Sequence, residues 1–234
     1  MFKKISYTRR SMMTSVLAGA LLLMSPGLSA AASEQEQLVE KAKMTVDALA
    51  AQSDMAQFRK LLAVSKGIVV FPQVLKAGFI IGGAGGTGVL LGRDGAGNWS
   101  APAFYTMGQA SLGLQIGAEA KELVLVIMTD KGLEAIIKNQ VKLGGDLSAA
   151  VGPMGKNVGA SSTTNMDVDV FSFAKTAGLF IGASVEGSVL DAKEDWLNAY
   201  YGQPVTAHDV VIERKVDKAQ AGPLKASLKA AEAP

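Results

Sequence analysis

The chain predicts an α+β protein: a curved, mostly antiparallel β-sheet, barrel-like, flanked by N- and C-terminal helices. Strand-like runs succeed one another from Gly67 to Phe173 with few helices between them, which favours antiparallel pairing over a doubly wound parallel sheet. Helical periodicity concentrates near the two ends of the chain. A glycine-flanked apolar segment also recurs: Lys76–Gly83 aligns with Thr176–Ala183, and Ala110–Ala118 is a looser third copy. Glycine weakens a strand unless the strand bends or a neighbouring backbone approaches closely, so the repeat predicts strong curvature.

Residues 34–51 read as a helix. Leu38, Ala42, Val46 and Leu49 form its apolar stripe, and Glu34 and Glu36 sit in the first turn, where they favour the helix dipole. Ser53-Asp54 offers a second helix start ahead of Phe58, Leu61 and Leu62. This pair is expected to pack on the core. A helix lying on a membrane is the alternative, but its polar face mixes both signs of charge.

Gly67–Phe71 is a β-branched run that Pro72 is expected to end. Lys76–Gly83, Gly88–Gly92, Trp99–Tyr105, Ser111–Ala118 and Glu122–Met128 follow as strand candidates, with Asp94-Gly95 marking a turn. Thr129-Asp130 caps a short helix over 132–139, and 141–151 and 167–173 add strands. Residues 191–201 read as a helix ending at Gly202, ahead of Pro204. Pro223 is placed to open a terminal helix over 224–231, although the weak apolar face of this Ala/Lys-rich stretch fits a frayed tail equally well. The expected organisation is an address over 1–32, one domain over 33–216 with its N-terminal helices, and a tail over 217–234.

The address is a secretory signal. Lys3, Lys4, Arg9 and Arg10 precede an apolar run over 16–24, then Ser25-Pro26-Gly27 and the small residues Ser29 to Ala32. The apolar run is shorter than the roughly 20 residues a spanning helix needs. Cleavage is expected after Ala32, with Ala30 and Ala31 as alternatives. Thr8-Arg9-Arg10-Ser11-Met12-Met13 resembles a twin-arginine signal, but paired arginines are common in ordinary signals and the general secretory route is the expectation. The expected location is periplasmic. Those four cations are the only charges in the segment, so its removal leaves 19 basic residues of 23 against 21 acidic, a formal −2. A broad nucleic-acid surface is not supported.

The chain has no cysteine and one histidine. That excludes disulfide scaffolds, lipoprotein anchors, thiolate nucleophiles and multi-histidine metal sites. No cofactor, metal or enzymatic activity is expected. Gly83-Ala84-Gly85-Gly86-Thr87-Gly88 satisfies a dinucleotide-binding spacing, but a strand and a turn follow where a helix must open. Gly152–Asn157 is too short for a phosphate loop and places Asn157 where Ser or Thr should stand. His208 reads as a surface histidine near a helix start, and Glu194-Asp195 as exposed charges. An outer-membrane barrel fits poorly, because its strands run about 9–11 residues with aromatic girdles.

Several long stretches carry a resemblance. They are GIVVFPQVLKAGFIIGG at 67–83, Trp99-Ser100-Ala101-Pro102, QIGAEAKELVLVIMT at 115–129, LGGDLSAAVGPMGKN at 143–157, KTAGLFIGASVEGSVL at 175–190 and Ala199-Tyr200-Tyr201-Gly202. In this order, from residue 62 to 206, the chain resembles the SYLF domain of yeast and animal actin-patch and phosphoinositide-binding proteins and of exported bacterial proteins. It departs from the animal and fungal members in showing no SH3 module, and an exported bacterial chain is not expected to meet actin. The resemblance implies lipid binding through basic residues and an amphipathic N-terminal segment. The expected partner is an anionic phospholipid or membrane surface such as phosphatidylglycerol, cardiolipin or lipid A. The physical need is clustered cations beside apolar surface. Arg59, Lys60, Lys66 and Lys76 form the densest basic group before the tail, with Arg93 next. The alternative is an envelope protein-interaction or scaffold domain without enzymatic activity, its glycine-rich strands packing on a protein partner or in a homo-oligomer.

Overall fold

The computed structural model describes residues 32–78, 81–112, 117–138, 140–153, 168–176, 179–181 and 183–232. The signal reading, the connection at 154–167 and the centre of each glycine-flanked segment lie outside them. Residues 32–234 form one compact unit.

Helix α1 (Glu34–Ala50) starts at Ser33, whose hydroxyl accepts from the Glu36 amide while the Glu36 carboxylate accepts from the Ser33 amide. It buries Val39, Ala42, Val46 and Leu49, so this face packs on the core as expected. After a 3-10 turn over Ser53–Met55 comes α2 (Ala56–Val64), with Phe58 and Leu62 buried. The strands are β1 (Gly67–Gly78), β2 (Ile81–Gly92), β3 (Ala103–Leu112), β4 (Gly117–Ile127), β5 (Val141–Lys142), β6 (Ala149–Val151), β7 (Val170–Thr176), β8 (Leu179–Ile181) and β9 (Val189–Ala192). The helices α3 (Asp130–Lys138), α4 (Glu194–Tyr201), α5 (Ala207–Val211) and α6 (Gly222–Ala231) complete the chain.

The strands join in one sheet of order β5-β9-β3-β2-β1-β4-β7-β6, with β8 also on β7. Every pair is antiparallel except β6–β7. Laid flat, eight strands would hold the outer two roughly 34 Å apart. Yet the chain passes from Lys142 at one edge to Ala149 at the other in seven residues, which reach about 25 Å at most. Within that span Leu143 bridges Leu147, and the Gly144 amide donates to the Leu147 carbonyl at 2.7 Å. The sheet therefore curls into a half-barrel, and the predicted curvature is present.

Residues directly opposite one another share a face. Phe71, Leu123 and Ala174 fall on one face; Val124 and Phe173 fall on the other. Phe58 of α2 lies against Phe173, ring centroids 5.4 Å apart, so α2 packs on the Phe173 face. Phe104 likewise meets Tyr200 of α4 at 5.1 Å. On the opposite face the Tyr105 hydroxyl donates to the Ile136 carbonyl of α3 at 3.1 Å. Both faces are covered, which is why Ile68, Val69, Val70 and Phe71 run on without alternation and are all buried.

Several boundaries differ from the expectations. Pro72 does not end its strand: β1 continues to Gly78 because a bulge lies there, with Pro72 and Gln73 opposing the single residue Glu122 of β4. Bare backbone faces this bulge on β2. A Cβ on Gly86 would sit 2.3 Å from the Gln73 carbonyl oxygen, and one on Gly88 would sit 2.5 Å from the Phe71 ring. Residues 141–151 are two short strands around a turn, not one, because Gly144 adopts φ +80. Asp191 belongs to β9 rather than to the following helix. The glycine-flanked repeat is not three strands. Each copy straddles a reversal, from β1 into β2, from β3 into β4 and from β7 into β8. Strand patterning alone does not separate a glycine-flanked reversal from a curved strand. The dinucleotide-like run 83–88 sits within β2, hydrogen-bonded on both sides.

Candidate functional site

The register places all three reversals at one end of the sheet. Gly78 opposes both Gly82 and Gly117, Ile81 opposes Leu112, and Thr176 opposes Leu179. Lys175, beside the last residue of β7, opposes Glu122. The opposite end carries the β2–β3 turn and α3.

At the reversal end a cleft of about 490 Å3 opens between α1 and strands β1, β4 and β7. The second half of α1 supplies Lys41, Met44 and Ala48; Pro72 and Gln73 of the bulge form its floor with Ala120. Met44 is 60% exposed and Leu75, next to Lys76, is 55% exposed, so apolar surface here faces water. Lys175 borders the cleft and its Nζ lies 3.0 Å from Glu122 Oε1. Lys121 borders it too, from the face of β4 opposite to that of Glu122 and Lys175; its register partner is Val74, so it shares a face with Lys76 and Glu119. Glu119 Oε1 accepts from the Thr176 hydroxyl at 3.3 Å. Burial pushes the Lys121 ammonium below its ordinary value; Glu119 opposes this and Lys76 adds to it. A phosphate anion placed beside Lys121 and Lys76 would relieve both the desolvation and their mutual repulsion.

The cations singled out from sequence do not form one group. Arg59 is half-buried and its Nη1 donates to the Ala50 and Gln52 carbonyls, at 3.0 and 3.1 Å, at the C-terminal end of α1. Lys60 is exposed on α2. Lys66 pairs with Asp130 at 3.0 Å, at the far end of β1 from Lys76, about 30 Å along the strand. Arg93 is held by Glu232 of the C-terminal segment through its Nε and Nη2, both at 3.2 Å. Of the five, only Lys76 lies at the reversal end. Lys41, Lys121 and Lys175, which lie there with it, are far apart in sequence; only long-range pairing collects them. The local signal is position: Lys76 opens one copy of the repeat and Lys175 stands just before another.

Among the described residues no group of three or more acidic or histidine side chains is placed to hold a metal ion, and no helix is long and apolar enough to cross a membrane. His208 is exposed on α5, and Glu194 and Asp195 are exposed on α4.

The family model Ysc84, described as Las17-binding protein actin regulator, matches residues 108–231. SH3 domain-containing YSC84-like protein 1 of Homo sapiens is 35% identical over 162 residues, covering 69% of this chain and 47% of that protein. An SH3 domain-containing protein of Schizosaccharomyces pombe is 35% identical over 167 residues, 70% of this chain and 39% of its own. Protein YSC84 of Saccharomyces cerevisiae is 32% identical over 167 residues, 70% of this chain and 36% of its own. This chain spans about half the length, or less, of these curated relatives, and none of their names states a catalysed reaction. The quoted motifs are joints of the fold. Trp99 Nε1 donates to Glu232 at 2.7 Å, and the Tyr201 hydroxyl donates to the Pro102 carbonyl at 2.7 Å. With motif, sheet and match in agreement, the chain belongs to the Ysc84 family, whose domain is the SYLF domain.

Proposed function

We propose that this chain is a periplasmic, non-enzymatic module that binds the headgroups of anionic phospholipids, exported by the signal read in residues 1–32. The observation that carries the reading is the cleft at the reversal end, where Lys41, Lys121 and Lys175 border exposed Met44 and the bulge at Pro72, with Lys76 beside Lys121. Ammonium groups beside apolar surface match a phosphodiester joined to acyl chains. The protein from Ala32 onward is expected to co-float with equimolar phosphatidylglycerol–phosphatidylcholine vesicles at low salt and to be released as salt screens the charges. Each of Lys41→Ala and Lys121→Ala is expected to weaken partition about fivefold, roughly 1 kcal/mol per charge. Lys66→Ala, at the far end, is expected to leave it unchanged. Equal loss for all three, or no co-flotation, refutes the reading.

A second reading is a protein-interaction or scaffold surface. It draws on the family description, which names a protein partner. Crosslinking and mass spectrometry separate the two: a stoichiometric protein partner with no lipid retained on purification favours this one.

A further inference from the structure

Three glycines of the central strands have no structural requirement to be glycine. Gly86 and Gly88 face the β1 bulge, whereas Gly83, Gly85 and Gly108 lie on the other face of the sheet. Positive φ among the described glycines is confined to 97, 144, 187 and 202, so these three hold ordinary strand backbone. A Cβ on Gly108 would meet no atom within 4 Å; on Gly83 or Gly85 it would approach only a backbone oxygen of β3, at 3.7 and 3.3 Å. Glycine inside a strand costs stability and marks places where another group comes close to the backbone.

The register lines them up. Ala120 opposes Leu75, Leu75 opposes Gly85, Gly85 opposes Gly108 and Gly108 opposes Val189, one row across β4, β1, β2, β3 and β9. Gly83 and Ala110 oppose each other beside it. On this same face α2 and α4 cover Phe173 and Phe104, but the row lies beyond them: Leu75 is 55% exposed, and Gly83, Gly108, Ala110 and Ala120 are exposed. The row starts in the cleft, which Ala120 lines with Lys41 and Lys175, and ends in a second groove of about 490 Å3 at Gly108, Ala110 and Val189. It spans four strand spacings, roughly 19 Å. No residue of it is charged.

We propose that this row is a track for one acyl chain of the anionic phospholipid whose headgroup the cleft holds, the chain lying across the strands against Gly85 and Gly108. The proposal rests on the headgroup reading above. Charge selects the occupant: cations stand at the cleft end and the row itself carries none, which is the division of charge in a phospholipid. Backbone chemistry disfavours a peptide. Here β1, β2 and β3 are paired on both sides, so a peptide laid over the row leaves the amides and carbonyls it turns toward the sheet without partners, whereas a methylene chain has none to satisfy. The length suffices, since one chain spans about 15 Å, half of a hydrocarbon core roughly 30 Å thick.

The test uses the protein from Ala32 onward and two soluble probes: glycerophosphoglycerol, and palmitoyl lysophosphatidylglycerol kept below its micelle-forming concentration. NMR titration is expected to show the chain-bearing probe binding at least about tenfold tighter, with amide shifts at Gly83, Gly85, Gly108 and Val189 that the headgroup alone does not produce. Gly108→Val, whose Cβ meets open space, is expected to keep or raise the denaturation midpoint, to weaken the chain-bearing probe about tenfold and to leave the headgroup probe unchanged. Equal affinity for both probes, no shifts at the three glycines, or a folded Gly108→Val with full affinity for the chain overturns the track and leaves the headgroup reading standing. Silence from both probes overturns both. Dissociation of a dimer by Gly108→Val in sedimentation, with lipid affinity unchanged, gives the row to a second copy and overturns the proposal. Should valine unfold the protein, the two probes on the unsubstituted chain decide.

Discussion

The Asp169 carboxylate, 6% exposed, joins three parts of the chain. Its Oδ1 accepts from the Thr129 hydroxyl at 2.6 Å, and its Oδ2 accepts from the amide and hydroxyl of Ser148 at 3.0 and 2.9 Å. Thr129 in turn caps α3 by accepting from the Gly132 amide, as the Thr-Asp pair predicted. Burial alone would raise the Asp169 pKa, but these hydrogen bonds and nearby Lys131 outweigh it and hold the carboxyl below the usual range. A folded-state pKa below the unfolded value gives stability that is present above the unfolded value, about pH 4, and is lost as pH falls through the folded one. Asp169→Asn is expected to cost about 1–3 kcal/mol at neutral pH and to flatten the acid limb of stability. Urea midpoints at neutral and acid pH check this; a parallel loss at both would remove the carboxylate from the account. Nothing in the sequence marks Asp169, because its three partners come from residues up to forty positions away.

The C-terminal helix is the element whose sequence was most ambiguous, its alanines and lysines fitting a frayed end as well as a helix. In the folded protein Leu224 and Leu228 are fully buried, and α6 packs along α1. The Glu232 carboxylate, just beyond it, receives Arg93, Trp99 and Lys229, the last at 2.9 Å. A narrow stripe of two leucines suffices because the partner surface and the anchor are both supplied by distant chain. Leu228→Ala is expected to destabilise the protein by about 2–4 kcal/mol, read from the denaturant midpoint, and to expose the tail to protease first. An unchanged midpoint would mean the helix is dispensable to the fold. The bulge in β1 makes the same point from the other side. Proline was a sound signal of interruption, yet facing glycines at 86 and 88 let the strand carry one extra residue and continue.

For the whole molecule, export and architecture are separable claims. Cell fractionation with N-terminal sequencing is expected to find the mature protein in the periplasm beginning at Ser33; a cytosolic chain that keeps residues 1–32 would refute the export reading. The architecture was legible where physics is local. Period-four apolar stripes gave α1 and α2, β-branched runs gave the central strands, and glycine spacing gave a bent sheet, because each depends on neighbours a few residues apart. The long family motifs were legible too, since they encode joints such as Tyr201 on Pro102 and Trp99 on Glu232. The candidate site was not. Local density of cations selected Arg59, which caps a helix, and Lys66 and Arg93, which pair with Asp130 and Glu232. Which lysines stand together is set by strand order and register. That order places β4 between β1 and β7, so residues 76, 121 and 175 reach one end of the sheet although some fifty positions separate each from the next. Chain identity thus fixed the pieces and their curvature through short-range sterics and hydrophobic periodicity; only long-range pairing decided which charges reach the same end of the sheet.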